Sequence, residues 1–387
     1  MHICIVDQGE IYGGAECFAL DYIKAIYGQF DLSLCLSTRA CDAYRETLAQ
    51  FPKVRTYMLP MYSLRLTSPK SVLSFLCAVV KLIYYVKKEK VTYLYSNTVR
   101  GHMIASFASL YTGVPLLWMV HDLTFAPFFL KKLSFIPKKI AGVSPVVQEY
   151  VEKYVSSEDM KKFCIIPNGV FTNVPLVATK EYLQDINNAT FTFEAGVRYI
   201  SIIGRLDTWK GQDVFLRAIA YLAETQKMPA NIHFLVVGDV TKTSQERIAY
   251  GEKLHQFVVE KELSSYVTFL GHQPIAEILP HTTMLVQAST APETFGRTII
   301  EGFMAGVPVI SSFLGAAKYI ISYGKTGLTF LPGNHEDLAH KMLLLLEDTY
   351  LYNTIVQHAR MEVEQKYSMK HVAELFLSIF TEESERK

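Results

Sequence analysis

Short apolar runs rich in β-branched residues alternate along the chain with stretches in which apolar positions recur every three or four residues. In the first half, Ile3 to Val6, Leu32 to Leu36, Thr92 to Tyr95, Pro115 to Val120, Ile140 to Val143 and Cys164 to Ile166 have the character of buried strands. Between them, Ala15 to Tyr27, Ser71 to Lys88, Val99 to Tyr111 and Pro145 to Tyr154 have helical spacing. Strand followed by helix followed by strand predicts a parallel sheet with helices on both faces. The alternation lapses from about Phe171 to Gly196, apart from one or two helical turns at Glu181 to Ile186. It resumes with strands near Tyr199 to Ile203, Ile232 to Val237, Val267 to Leu270, Met284 to Val286 and Pro308 to Ile310, so a second doubly wound sheet is expected. From Leu338 to Phe380 the pattern is continuously helical, with a break around Tyr367 and Ser368.

At 387 residues the chain is longer than one domain usually grows, and half of its residues are hydrophobic, which supplies two cores. Two apolar stretches need a closer look. Val72 to Val86 is about fifteen residues long and carries Lys81, short of the roughly 20 residues of a spanning helix, so it reads as a packed helix. Gly101 to Val120 is divided by Gly113 and Pro115 into a helix and a strand. The N-terminus enters a strand pattern directly, with no basic n-region, h-region or cleavage site, so no export is expected. The six cysteines show no CxxC pairing and read as reduced thiols.

The formal charge of +1 hides an asymmetry. Residues 1–170 carry 19 Lys and Arg against 13 Asp and Glu, and the remainder 19 against 24. Within 51–148 the only acids are Glu89 and Asp122, against 13 basic residues, so an anionic partner is expected at that surface. Nucleic acid is not expected, because no reading module accompanies the basic bias. A nicotinamide oxidoreductase is also disfavoured, since no GxGxxG with a following acid succeeds any predicted strand.

In open parallel sheets, ligands bind at the carboxyl ends of strands, where backbone amides and helix N-termini converge. Four places in the chain fall there. Ile203-Gly204-Arg205-Leu206-Asp207-Thr208-Trp209-Lys210-Gly211 leaves a strand and enters a helix, which puts Arg205 and Lys210 beside a positive helix end. Arg gives a diphosphate a planar fork and Lys a point charge. Ser289 to Glu301 follows the Met284 to Val286 strand. Here Glu293 lies on a loop, the amides of Phe295 and Gly296 can meet sugar hydroxyls, Arg297 and Thr298 begin a helix facing phosphates, and Glu301 can accept from a vicinal diol. Both carboxylates also read as a solvated helix residue and a loop residue, or as a hydrolase pair. Gly13 and Gly14 follow the first strand, where they permit close backbone approach. His121 ends another strand, as a site group or as an ordinary structural histidine.

Together, Gly13-Gly14, His121, Asn168-Gly169-Val170, Gly204-Arg205-Leu206 with Lys210-Gly211, Glu293 with Glu301 and Ala305-Gly306-Val307-Pro308-Val309-Ile310 resemble the retaining glycosyltransferases of family four. The resemblance runs in order over nearly the whole chain and is most specific from Ser289 to Ile310. It implies an α/β protein of the GT-B fold, with two Rossmann-like, doubly wound parallel-sheet lobes facing a central cleft. Residues 1–170, with 368–387 crossing back as a C-terminal helix, would be the acceptor lobe, and 171–367 the nucleotide-sugar lobe. By resemblance Arg205 and Lys210 hold the diphosphate and Glu301 the ribose. Glu293 with the Phe295 and Gly296 amides orients the donor sugar, and His121 contacts it. The implied reaction moves a hexose-type sugar with retention, without a metal or other cofactor, to a saccharide or lipid-linked saccharide in cell-surface polysaccharide or glycolipid synthesis. One departure stands in Leu314-Gly315-Ala316-Ala317-Lys318, where the family often has an acid in place of Lys318.

The run Phe125 to Lys139 combines Phe128, Phe129 and Phe135 with Lys131, Lys132, Lys138 and Lys139 and no acid. It reads as a contact with anionic lipid headgroups, or as a solvated loop over buried aromatics. A cytoplasmic enzyme at the inner face of a membrane is the expectation. A nucleotide-sugar epimerase or hydrolase, or a noncatalytic binding relative, is the alternative.

Overall fold

The computed structural model describes residues 1–10, 13–62, 68–172, 182–184, 186, 189–240 and 244–381. Ile11 and Tyr12 of the glycine loop, and Glu181 of the expected helical turn, lie outside the described residues. Two compact units result: Met1–Gly169 with Tyr367–Lys387, and Val170–Lys366.

Unit 1 is built on seven parallel strands: β1 His2–Asp7, β2 Asp31–Ser37, β3 Arg55–Leu59, β4 Tyr93–Ser96, β5 Leu116–Val120, β6 Lys139–Gly142 and β7 Phe163–Ile165. Their order is β3-β2-β1-β4-β5-β6-β7, with Ile3 of β1 between Leu32 and Tyr93. β1 and β5 are buried at every position, as expected of inner parallel strands covered on both faces. β3 was not expected from the pattern. It is an edge strand in which Arg55 and Thr56 stay exposed, so its apolar signal is only three residues long.

The helix Gly14–Ile26 buries Phe18, Tyr22, Ile23 and Ile26, and against it packs the last helix, Met369–Thr381. Phe376 sits among Tyr22, Tyr95 and Phe18, with ring centroids 4.0, 4.9 and 6.2 Å away.

The helix Pro69–Lys88 is packed, as its apolar run suggests, but on one side only. It buries one stripe, Ala78, Val79, Leu82, Tyr85 and Val86, and leaves Leu73, Leu76, Val80 and Tyr84 exposed. It packs beside its neighbour Val99–Thr112, which is buried all round from Gly101 to Ser106 and exposes Phe107, Leu110 and Tyr111 toward its C-terminal end.

Unit 2 opens with an antiparallel hairpin, β8 Tyr182–Gln184 and β9 Thr190–Thr192, where a helical turn was expected. The ladder with Thr190–Thr192 and the burial of Leu183 decide for the strand. Six parallel strands follow: β10 Arg198–Ile203, β11 Ile232–Val237, β12 Val267–Gly271, β13 Thr282–Gln287, β14 Val309–Ser312 and β15 Leu328–Phe330, in the order β12-β11-β10-β13-β14-β15. The C-terminal helical stretch also breaks earlier than its pattern suggests. Asp348 separates His335–Glu347 from Thr349–Glu362, and its side chain accepts from the Leu351 amide at 2.8 Å, capping the second helix.

In both sheets the chain starts in the middle and then winds out to either side. The direction reverses between β1 and β4 in unit 1 and between β10 and β13 in unit 2. Helices leaving such a pair of strands diverge to opposite faces and open a crevice at the strands' carboxyl ends.

Candidate functional site

The residues singled out in unit 2 gather at that crevice. β10 ends at Ile203, and Gly204 and Arg205 lead through the 3-10 turn Thr208–Lys210 into Gly211 and the helix Gln212–Glu224. β13 ends at Gln287 and leads through Ser289 and Glu293 to Gly296 and the helix Arg297–Ala305. Backbone contact locks the two loops together, since the Thr290 amide donates to the Trp209 carbonyl at 2.8 Å. Gly211 has a φ of +75°, and a Cβ there would lie 1.8 Å from the Ala288 carbonyl oxygen. Only glycine permits both the conformation and the approach.

This places Lys210 and Glu293 in contact, with Nζ 2.9 Å from Oε1. Both side chains are largely buried, and Ser289 Oγ donates to the same carboxylate oxygen at 2.5 Å. The Lys210 ammonium also lies 4.4 Å from the centroid of the Trp209 ring. The Glu293 backbone is held from the other side, where Ala316 donates to its carbonyl at 2.9 Å and Gly315 has a φ of +57°. A Cβ at Gly315 would come within 2.6 Å of the Glu293 backbone. Lys318, two residues beyond Ala316, is exposed, with its ammonium 5.6 Å from the Phe313 ring.

The remaining groups are paired differently from Lys210. Arg205 is exposed and lies 3.7 Å from Asp207, whose carboxylate is also held by Arg247 at 2.9 Å. Glu301 takes Arg297 Nε at 2.9 Å, one turn away on the same helix. Thr298 is half-buried and the Phe295 ring is buried, so what Phe295 offers a ligand is its backbone.

Both helices beside the crevice begin at glycines, Gly211 and Gly296, in left-handed conformation and with no side-chain cap. Elsewhere in the unit Ser244, Asn334 and Asp348 cap helices with a side-chain oxygen. At both helix starts the first backbone N–H groups are therefore left without a side-chain acceptor.

In unit 1, His121 follows β5 and is half-buried, with Phe18 edge-on at 5.2 Å. Desolvation pushes its pKa down to about 3, so the ring is neutral near pH 7. Its Nε2 lies 2.7 Å from Oδ1 of Asn97, the residue after β4. The orientation of Asn97 is over-determined, because its amide nitrogen donates to Asp7 Oδ2 at 2.9 Å and to the Ala15 carbonyl at 3.0 Å. The amide oxygen that remains for His121 only accepts, so Nε2 carries the proton and Nδ1 presents a lone pair.

Asp7 is fully buried at the end of β1 and also accepts from Tyr44 Oη at 2.9 Å. Its burial raises its pKa against these hydrogen bonds. Beside it, Gly13 begins the helix that contains Glu16. Glu16 Oε2 accepts from the Gly13 amide at 3.2 Å, and burial, with Asp7 nearby, pushes the Glu16 carboxyl up to about 7. Gly14 is exposed, and a Cβ there would meet nothing within 4 Å.

Asp7 and Asn97 were not found from the sequence. The available signal was a polar residue closing an apolar strand run at each of the two strands that flank the crevice. Among the described residues no group of three or more His, Cys, Asp or Glu has the arrangement of a metal site.

Residues 185–362 match the family described as Glycosyl transferases group 1. Unit 2 belongs to the glycosyl transferases group 1. The 2-deoxystreptamine N-acetyl-D-glucosaminyltransferase of Niallia circulans is 25% identical over 188 residues, 48% of this chain and 46% of that protein. The lipopolysaccharide core biosynthesis mannosyltransferase LpcC of Rhizobium leguminosarum bv. viciae is 26% identical over 185 residues, 48% of this chain and 51% of its own. The chain thus spans about half the length of the curated relatives it matches. Among solved structures, HepE of Anabaena in complex with UDP superposes with a TM-score of 0.82 at 23% identity, covering 99% of this chain and 100% of that one. The group 1 unit and its partner unit therefore share the GT-B fold of such glycosyltransferases.

Proposed function

We propose that the protein is a retaining glycosyltransferase that moves a hexose-type sugar from a nucleoside-diphosphate sugar to a saccharide or lipid-linked saccharide. The observation that carries this reading is the convergence of Lys210, Glu293 and two glycine-capped helix N-termini on the crevice between β10 and β13. Such a crevice meets a diphosphate with backbone N–H groups and fixed cations. In this reading Arg205 and Lys210 hold the diphosphate, and Glu301, released from Arg297, accepts from the ribose hydroxyls. The backbone at Phe295 and Gly296 positions the sugar, and Arg297 and Thr298 complete the helix start. Glu293 orients donor and lysine together, and His121 acts on the donor sugar through its Nδ1 lone pair.

As the glycosidic bond to the diphosphate breaks, negative charge grows on the departing phosphate oxygen. Preorganised amides and cations stabilise that charge, which assigns the work of a metal ion to the chain itself. HepE structures hold UDP and UDP-glucose, which supports a nucleotide-sugar donor. The similarity to LpcC, named for lipopolysaccharide core biosynthesis, supports a role in cell-surface polysaccharide or glycolipid assembly at the cytoplasmic face of a membrane. There Lys131, Lys132, Lys138 and Lys139 would add cationic contacts. Incubating the protein with a panel of nucleotide sugars, with and without saccharide and lipid-linked acceptors, tests the reading. Acceptor-dependent release of nucleoside diphosphate with an unchanged anomeric configuration supports it. Acceptor-independent release of free sugar refutes it.

A further inference from the structure

The helices Pro69–Lys88 and Val99–Thr112 of unit 1 share an exposed apolar face. On the first, Leu73, Leu76, Cys77, Val80 and Tyr84 fall within an arc of about 100° at helical periodicity. Leu73 is 69% exposed and Val80 64%. On the second, Phe107, Leu110 and Tyr111 are exposed, and Phe107 meets the half-buried Phe75 of the first helix edge-on at 5.7 Å. By length and composition Pro69–Lys88 is apolar enough to cross a membrane, yet only 28% of its most apolar 18 residues are buried. Its inner stripe, however, packs into unit 1, so the helix lies along a surface and does not span one.

Charge identifies what covers this face. Lys70, Lys81, Lys87 and Lys88 are exposed on the first helix, and neither helix contains an acid. The nearest acid in sequence, Glu89, is paired with Arg55 at 2.9 Å. Lys87 Nζ lies 4.6 Å from the Tyr111 ring and Lys88 Nζ 5.9 Å from the Tyr84 ring, so the ammonium groups stand over aromatic rings at the border of the apolar stripe. Aromatic and aliphatic groups at the centre with lysines at the margin match the layering of a bilayer interface, acyl chains beneath and anionic headgroups above. A second copy of the chain would set lysine against lysine across a two-fold axis. We propose that this two-helix face is the surface by which unit 1 rests on an anionic lipid bilayer.

The proposal is independent of the transferase reading, because binding to vesicles is measured without donor or acceptor. The full chain is sedimented with vesicles of equimolar phosphatidylglycerol and phosphatidylcholine. The expected result is binding that falls by about tenfold or more in the triple variant Leu73→Gln, Leu76→Gln, Val80→Gln. The quadruple glutamine variant at Lys131, Lys132, Lys138 and Lys139 is expected to lose less. Because all three substituted side chains are exposed, thermal denaturation of the triple variant should match the parent. As a second readout, a polarity-sensitive dye on Cys77, which is exposed at the centre of the stripe, should shift to the blue on vesicle addition. The Cys77→Ser protein treated with the same dye should show no such shift. Failure of the parent to bind, equal binding by the triple variant, or a larger loss in the quadruple variant each overturns the proposal. So does a concentration-dependent dimer that the triple variant dissolves while vesicle binding is unchanged.

Discussion

Lys210 Nζ lies 2.9 Å from Glu293 Oε1, joining the loop after β10 to the loop after β13 at the point where the order of the second sheet reverses. The pair keeps an ammonium and a carboxylate compensated inside the crevice, and in the proposed function a donor phosphate would meet a cation already fixed in place by its partner. Removing one member leaves the other charge partly buried and alone, which costs more than removing both. In a double-mutant cycle read by thermal denaturation, Lys210→Met and Glu293→Gln should each destabilise unit 2, and the double variant should lose less than the two single losses added. Strict additivity would show that the two groups are uncoupled.

The Asn97 amide fixes the His121 tautomer. Nitrogen-15 NMR of the histidine ring near pH 7 should show a protonated Nε2 and an unprotonated Nδ1, with no titration of His121 between pH 5 and 8, since burial holds its pKa near 3. In Asn97→Asp the acceptor becomes a carboxylate, which favours the imidazolium, so the ring should begin to titrate at higher pH. A parent ring protonated at Nδ1 would contradict the network.

Glu16 has a folded-state pKa of about 7, above its ordinary 4.5. Between those values the folded protein holds a proton that the unfolded chain has released, so stability from the neutral carboxyl is present at acid pH. It is lost as pH rises from about 4.5 through about 7. Glu16→Gln removes that titration. Denaturant melts across this range should show the parent losing stability relative to the variant as pH increases. A difference that does not vary with pH would mean that Glu16 titrates normally.

Gly211 and Gly333 both have φ near +75°, but only Gly211 faces another backbone atom, the Ala288 carbonyl. Alanine at Gly333 should cost about 1–3 kcal/mol from backbone strain alone. Alanine at Gly211 should cost clearly more, because the two crevice loops must also separate. Comparable melting temperatures for the two variants would contradict the close packing of these loops.

Inner strands of both sheets are legible in the sequence because Ile3 to Val6 of β1, all of β5 and Phe234 to Val237 of β11 are continuous apolar runs, and burial on both faces requires such runs. Edge elements are not: β3 keeps two exposed residues, β15 has three residues, and the β8 and β9 hairpin is short and set among polar positions. Pro69–Lys88 misleads for the opposite reason, since its apolar composition is divided between an inner stripe and an outer one. Lys210, Glu293 and His121 each stand out by position at a strand end. Their partners do not, because contact between residues 83 positions apart, or between Asn97 and Asp7 at a separation of 90, is a product of sheet order and leaves no local pattern.

The central claim is that the crevice of unit 2 binds the diphosphate of a nucleotide sugar through Lys210, and calorimetric titration with a panel of nucleoside diphosphates tests it most directly. One of them should bind the parent protein, and Lys210→Ala should weaken that binding by about 1.5–3 kcal/mol, roughly ten- to more than a hundredfold, while the protein remains folded. Equal affinity in the folded variant, or no binding of any nucleoside diphosphate to the parent, would contradict the account.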